Sequence, residues 1–346
     1  MKVFLPFQQE GNPYLEEIIA YSNCEFTYAN ISEYSSDFSI VNIHWPEAIF
    51  NWFEPSSEEL SDLERRILEW KKHSLIFYTK HDFSRIKGTT NNYQELFRIV
   101  ESNADVFIHL GNYSKEKYEL IYPKAHHKVV YHPLYRNSFP FFKQEEARRK
   151  LGISKEALVI IAPGQIRFHK ERDLILNAFK MVQAPEKVLI ATNMRAELRY
   201  DFPGRTRLKK IIDVKNFLIT HFKSKYQSPE YIFNYGRLSY NEFGLHMAAA
   251  DIVFIPRINI LNSGNIFMGL TYDKIVLGPC TGNLKEQLEE LGFPIFDPKN
   301  KVSVINALKD AINLNKANYQ INRNILSKYE PASIAAIYDK LFVDMK

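Results

Sequence analysis

Short apolar runs alternate with helical stretches along almost the whole chain, and this alternation restricts the fold more than any other feature. In the first half the runs are KVFLPF, FSIVNIHW, SLIFYTKH, ADVFIHL and HKVVYHP, with helix-like segments near residues 13–21, 58–72, 93–101 and 114–122. In the second half they are ALVIIAPG, KVLIATN, YIFNYG, DIVFIPR and KIVLGPC. Strand and helix in regular turn imply α/β architecture: parallel βαβ units with helices covering both faces of each sheet. Ligands of such sheets bind beyond the carboxyl ends of the strands. Functional side chains are therefore expected in the few residues directly after each apolar run.

The 346 residues exceed the length at which one core stops growing, so two domains of ~150 residues are expected. Residues 137–150 (NSFPFFKQEEARRK) interrupt the alternation with a proline, aromatics and a charge run. This divides the chain into a first doubly wound domain over 1–140, a linker over 141–155 and a second doubly wound domain over 156–328. A final segment, 329–346, carries Ile334, Ile337, Leu341 and Phe342 at helical spacing. No run of about 18 apolar residues is present, and the first residues lack the basic, apolar and small-residue regions of a signal peptide, so a cytoplasmic protein is expected. Cys24 and Cys280 lie far apart without metal or redox spacing, and read as two inert thiols. A net charge of +5 permits an anionic ligand or a membrane surface and does not point to nucleic acid.

Two segments of the second half carry the clearest chemistry. IAPGQIRFHKERDLILNAF runs from an apolar strand through Gly164 into Arg167, Lys170 and a helix, a pattern suited to holding a diphosphate with cations and unpaired helical N–H groups. FIPRINILNSGNIFMGL places Asn262, Ser263 and Gly264 just before another apolar helix, where small residues let backbone approach a phosphate. Two anion sites in one half point to a nucleotide-diphosphate ligand. No P-loop and no G-x-G-x-x-G comes after a strand, which disfavours a kinase or a dehydrogenase.

Together these segments resemble the C-terminal half of a GT-B glycosyltransferase, and more narrowly the family 4-like bacterial exopolysaccharide and capsule transferases. The resemblance rests on the G-x-x-R-x-x-K turn (Gly164, Arg167, Lys170) and the N-S-G turn, and the order of elements extends it over most of the chain. It implies two Rossmann-like domains facing a cleft, a nucleotide-diphosphate sugar as donor, and a last helix crossing back to the first domain. It also implies that a glycine near Gly11, in the Gln9–Tyr14 turn, approaches the donor phosphates; as residues alone this is equally a plain βα turn. One departure stands out. Retaining members carry two glutamates eight positions apart around the phosphate turn, where this chain has Ile260 and Met268.

The first half supplies candidates for proton transfer. His44-Trp45-Pro46-Glu47 and Thr79-Lys80-His81-Asp82 each come directly after an apolar strand, pairing a histidine with a carboxylate. Both strand ends resemble positions of the polysaccharide transferases, and the T-x-H histidine corresponds to one that faces the donor sugar. The expected catalytic set is Asp82 as base, with His81, Glu47 and His44; the expected donor-binding set is Gly11, Gly164, Arg167, Lys170, Asn262, Ser263 and Gly264. Lys80 reads as a solvated neighbour, His109 equally as site or structural residue, and His132 as a strand terminator. His126-His127 has no acidic or cysteine partner at ligand spacing, and no D-x-D motif ends a strand, so no metal site is expected and Mg²⁺ is not expected to be obligatory.

The expected activity is transfer of a sugar from a nucleotide-diphosphate sugar to a hydroxyl of a lipid-linked bacterial surface glycan. A sugar-nucleotide epimerase and a non-catalytic, sugar-nucleotide-binding partner subunit remain as alternatives, the latter suggested by the missing glutamates. Residues 195–226 hold nine Lys or Arg against three Asp or Glu, a balance of +6, interleaved with Ile211, Ile212, Phe217, Leu218 and Phe222. That segment reads either as a solvated basic helix face or as a peripheral membrane contact at the inner face of the cytoplasmic membrane.

Overall fold

The computed structural model describes residues 1–9, 11–85, 88–196, 214–227 and 229–345. The first sheet is built from β1 (Lys2–Leu5), β2 (Glu25–Tyr28), β3 (Ile40–Ile43), β4 (Leu75–Lys80), β5 (Val106–His109) and β6 (His126–Val129). Its helices are α1 (Pro13–Ile19), α2 (Ser57–Trp70), α3 (Asn91–Asn103) and α4 (Asn112–Ile121). After α5 (Gln144–Leu151) comes the second sheet: β7 (Leu158–Gln165), β8 (Lys187–Asn193), β9 (Tyr231–Phe233), β10 (Ile252–Phe254), β11 (Ile275–Pro279) and β12 (Ile295–Phe296). Around it lie α6 (His169–Lys180), α7 (Val214–Lys225), α8 (Tyr240–Ala249), α9 (Gly264–Thr271), α10 (Leu284–Glu290), α11 (Lys301–Lys316) and α12 (Arg323–Leu326), and the described chain closes with α13 (Pro331–Met345).

Both sheets are six-stranded, and every strand pairing is parallel. Their orders are β2-β1-β3-β4-β5-β6 and β12-β11-β10-β7-β8-β9. The direction of winding reverses between β1 and β3 in the first sheet and between β7 and β10 in the second. At such reversals the succeeding helices diverge to opposite faces and leave a crevice at the strand ends. The inner strands are buried on both faces, as at Val3, Phe4, Val41, Ile76, Phe107, Ile160 and Val253, which is why they read as unbroken apolar runs.

Sequence and structure differ at the edges and in the expected linker. β2 and β12, not expected from the sequence, are edge strands of four and two residues, and β2 is at best half-buried. Within the segment expected as linker, eight residues form α5, which docks on the second domain. Arg148, buried, pairs with both carboxylate oxygens of Asp251 at 2.7 and 2.8 Å, and Ala147 joins the second core. Gly152 ends α5 at φ +68°, a left-handed cap that glycine adopts without steric cost. The last helix, α13, packs Ile334, Tyr338, Leu341 and Phe342 into the core of the first sheet, beside α1.

Candidate functional site

Each winding reversal carries one half of the cleft. On the first domain, β3 ends at His44-Trp45 and β4 at His81-Asp82. His44 Nδ1 and His81 Nε2 lie 3.0 Å apart. Trp45 stacks on the His81 ring at 4.3 Å, and Tyr14, from the first turn of α1, meets it edge-on at 4.9 Å. His44 is buried and its Nε2 has no partner among the described residues. An unfilled acceptor costs less than a buried unpaired N–H, which assigns the shared proton to His44 Nδ1 and leaves His81 protonated on Nδ1. Burial holds His44 down at about 3, and holds His81 well below the usual histidine value, helped by His44, His132 and Lys80. Both rings are therefore neutral hydrogen-bonding groups near pH 7.

The two carboxylates beside them are shifted the other way. Burial raises Asp82, while Arg167, Lys80 and Arg257 pull it back down. Glu47 is also raised by burial, with Asp82 adding to the shift against the pull of Arg85 and Lys80. Asp82 thus faces two arginines of the opposite domain, while the cations that act on Glu47 belong to its own domain. Carboxyl groups raised in this manner are better matched to accepting a proton near neutral pH than free carboxylates.

The end of β7 is shaped by Gly164, whose φ of +78° is a left-handed conformation that a side chain would strain, and the ladder to β8 is irregular between Ala162 and Gln165. Its N–H donates to Thr192 Oγ1 at 2.7 Å. The backbone N–H groups of Arg167 and Phe168 donate to the Glu171 carboxylate at 2.7 and 3.2 Å, so α6 is capped by its own side chain rather than left open. Glu171 is in turn held by Arg257 at 2.7 Å, both buried. Burial, Arg167 nearby and the Glu171 contact leave Arg257 at about 10, still a cation at neutral pH. Among the described residues neither Arg167 nor Lys170 has an ion-pair partner. Three cations against one capping carboxylate give this turn a net positive face.

The second turn is engaged differently from its sequence reading. The Asn262 amide donates to the carbonyls of Lys80 and His81 at 3.1 and 2.7 Å and accepts from Asn283 at 2.6 Å, so it ties the two domains together beside Asp82. Ser263 caps α9 through Asn265 N. Gly264 lies under Tyr135 and His132: a Cβ there would stand 2.5 Å from the Tyr135 hydroxyl and 3.3 Å from His132 Nε2. Gly11 sits at the rim, its carbonyl accepting from Tyr240 Oη of the second domain at 2.7 Å. Glu10, in the same turn, lies outside the described residues.

Two residues fall elsewhere than expected, and His109, read equally as site or structural residue, takes the second role. His132, read as a strand terminator, joins the cleft: it stacks on Phe267 at 4.5 Å, meets Tyr14 at 4.8 Å and shares a hydrogen bond with Tyr135 Oη at 3.1 Å. The crossing between the domains passes through the cleft floor, so nearness to the linker places His132 in the site. Lys80, read as solvated, is fully buried on the far side of β4, paired with Glu101 and 4.6 Å from the Tyr118 ring centre. His109 is buried with His127 and Ser114 as a structural chain, at 2.9 and 3.2 Å. Arg257, Glu171 and Tyr135 were not singled out in the sequence, and Tyr14 was quoted only as the end of the Gln9–Tyr14 turn; of the first three, Arg257 alone had a signal, as a charge directly after the DIVFIP run.

No family model and no curated protein matches the sequence. Solved structures do match. The Anabaena protein Alr3699/HepE, solved in complex with UDP, superposes at a TM-score of 0.66 with 13% identity over 99% of this chain and 100% of its own. The chain has the GT-B fold. A glycosyltransferase from Rickettsia africae matches at 0.63 with 9% identity over 99% and 98% of the two chains. Sucrose-phosphate synthase from Thermosynechococcus elongatus matches at 0.64 with 12% identity over 91% and 75%. The GT-B architecture anticipated from the two phosphate-like turns is thereby established, and the cleft between its two Rossmann-like domains is the one described above. Among the described residues no helix is long and apolar enough to cross a membrane, and no cluster of three or more His, Cys, Asp or Glu is placed to hold a metal ion.

Proposed function

We propose that the protein transfers a sugar from a nucleotide-diphosphate sugar to a hydroxyl of a lipid-linked bacterial surface glycan. The observation that carries this reading is the burial-raised carboxyl of Asp82 set across the cleft from Arg167 and Arg257 at the phosphate turn, with a second raised carboxyl, Glu47, beside it. Arg167, Lys170 and the Ser263-Gly264 end of α9 take the donor diphosphate, with Gly11 at the rim and Arg257 behind them. Asp82 accepts the proton of the attacking hydroxyl as its oxygen bonds to the sugar's anomeric carbon. The bond from that carbon to the diphosphate oxygen breaks, and the electron pair leaves on the diphosphate, neutralised by Arg167 and Lys170. His81, kept neutral, donates a hydrogen bond to the sugar, and His44 fixes its tautomer. The chain's own cations suffice for this departure, so the reaction is expected to run without added Mg²⁺.

Direct displacement with inversion fits this residue set. Ile260 and Met268, where retaining relatives carry glutamates, are both buried and offer no carboxylate. The same observation favours the second reading, a sugar-nucleotide-binding subunit without turnover. Nucleotide release from a donor sugar decides between them. Release that requires a glycan acceptor supports transfer; binding without release under any acceptor supports the partner subunit. UDP and UDP-glucose, the ligands of the solved Anabaena protein, are the first to try.

The anticipated peripheral membrane contact belongs to the same proposal. Of its basic segment, 197–213, including Lys209, Lys210, Ile211 and Ile212, lies outside the described residues. Within α7, Phe217 is exposed, and Lys223 stands over the Tyr235 ring at 4.5 Å.

A further inference from the structure

A second cavity, of about 680 Å³, lies between α6 and α11, outside the cleft. Its floor is apolar: Leu174 and Ala178 from α6, Val304 and Ile305 from α11, and Ile258 at the end nearest the strand termini. Its rim is basic. Lys180, Lys299 and Lys301 surround it, with Lys170 of the phosphate turn at the end nearest the cleft; all are exposed and none is ion-paired among the described residues. The single carboxylate of the lining, Asp173, lies 3.4 Å from Arg172. A cavity needed only for packing has no use for three unpaired cations, Lys180, Lys299 and Lys301, around an apolar floor, where they repel one another.

We propose that this groove docks an anionic phospholipid of a bilayer, with the headgroup phosphate among the lysines and the upper part of an acyl chain along the floor. Charge complementarity selects an anion, and the floor selects one that carries a hydrocarbon. The surroundings match a bilayer interface. Met181, at the groove's edge just past the end of α6, and Val302, beside it on α11, keep 57% and 64% of their surface in solvent. Exposed apolar side chains interleaved with lysines are the composition that inserts at the headgroup boundary. On the other flank of α6, α7, held by Phe222 at 5.1 Å from the Arg172 guanidinium, carries exposed Phe217 together with Lys223 and Lys225. Because Lys170, Ile258 and Lys299 all lie beyond the carboxyl ends of strands, a lipid seated here would bring the cleft edge to the membrane. The proposal concerns attachment rather than turnover, so it is decided separately from the transfer reading.

The test is flotation of the full chain with phosphatidylcholine vesicles, with and without phosphatidylglycerol, at low and high salt. The parent should float only with the anionic vesicles and only at low salt. Changing Lys180, Lys299 and Lys301 together to Gln should weaken flotation roughly fivefold per lysine, on the order of a hundredfold in all, while UDP binding stays at the parent level. Met181→Ser with Val302→Ser should weaken flotation and leave its salt dependence unchanged. Parent-like flotation of the triple variant overturns the groove; if the Lys209, Lys210, Lys223, Lys225 to Gln variant then fails to float, the basic segment alone is the membrane contact. Absence of flotation by the parent overturns both. Full competition by millimolar glycerol phosphate also overturns the proposal, because it marks a site for free phosphate rather than for a lipid.

Discussion

Replacing Arg257 with Met tests whether the buried Arg257–Glu171 pair supports the phosphate turn. The two side chains retain 6% and 3% exposure, so removing the guanidinium leaves the Glu171 carboxylate with almost no water. Breaking a buried pair from one side typically costs ~3–5 kcal/mol. Glu171 keeps the N–H groups of Arg167 and Phe168 and the favourable field of the α6 N-terminus, which places the cost near ~3 kcal/mol. For a domain of this size that is a fall of roughly 6–12 °C in its unfolding temperature. The double variant Arg257→Met, Glu171→Gln leaves no charge stranded, and the amide oxygen can still cap α6, so at least half of the loss should return. A coupling of ~1–3 kcal/mol is expected from the cycle, measured by urea unfolding of the four proteins followed by tryptophan fluorescence and circular dichroism. A single-variant cost under ~1 kcal/mol, or strict additivity in the double variant, would refute the claim that the pair is buried and coupled.

Two further predictions concern the ionisable groups. Asp82→Asn should lower turnover by about two or more orders of magnitude with donor affinity nearly unchanged, since the lost proton acceptor acts in the transition state; near-normal turnover would pass the role to His81 or Glu47. Acid should destabilise the fold below pH 6.5. His44 and His109 are lowered to about 3 and His132 to about 4, so between those values and ~6.5 the unfolded chain binds more protons than the folded one. Their stabilisation is complete above ~6.5 and is lost as pH falls toward 3–4, at up to ~4 kcal/mol per pH unit for three protons. Asp82, Glu47 and Glu286, raised by burial, act in the opposite sense and reduce the slope, while His81, lowered by burial like the other three histidines, adds to it. An unfolding temperature unchanged from pH 7.5 to 5 would contradict the assigned burial of these histidines.

The alternation of apolar runs made the two parallel sheets legible, because strands covered on both faces leave continuous hydrophobic signals. β2 and β12 left none: the four residues of β2 are at best half-buried, and β12 is only two residues long, too short to rise above a loop although Phe296 is buried. α5 was hidden for a different reason. QEEARRKL carries five charges in eight residues, and it is held by the Arg148–Asp251 pair across 103 positions rather than by an apolar stripe. The candidate acids and histidines were legible because in parallel sheets strand ends converge on one edge, and His44, Glu47, His81 and Asp82 all come just after strands. What the sequence could not express was partnership across the cleft. Asn262 stands in a motif that suggests phosphate, yet its amide is spent on the Lys80 and His81 carbonyls, a contact that exists only once the domains meet. His132 was misplaced by the same blindness, since the crossing segment counts as a linker along the chain and as cleft floor in space.

The central claim is that the turn from Gly164 to Lys170 and the start of α9 hold a nucleoside diphosphate. Calorimetric titration of the parent and of Arg167→Ala with UDP-, GDP-, dTDP- and CMP-sugars, and with UDP and GDP alone, tests it most directly. The account predicts one diphosphate site per chain, a preference among the bases, and a loss of ~1.5–3 kcal/mol in the Arg167→Ala variant, roughly ten- to 150-fold in affinity. Equal binding by parent and variant, or no binding of any nucleoside diphosphate by the parent, would contradict it.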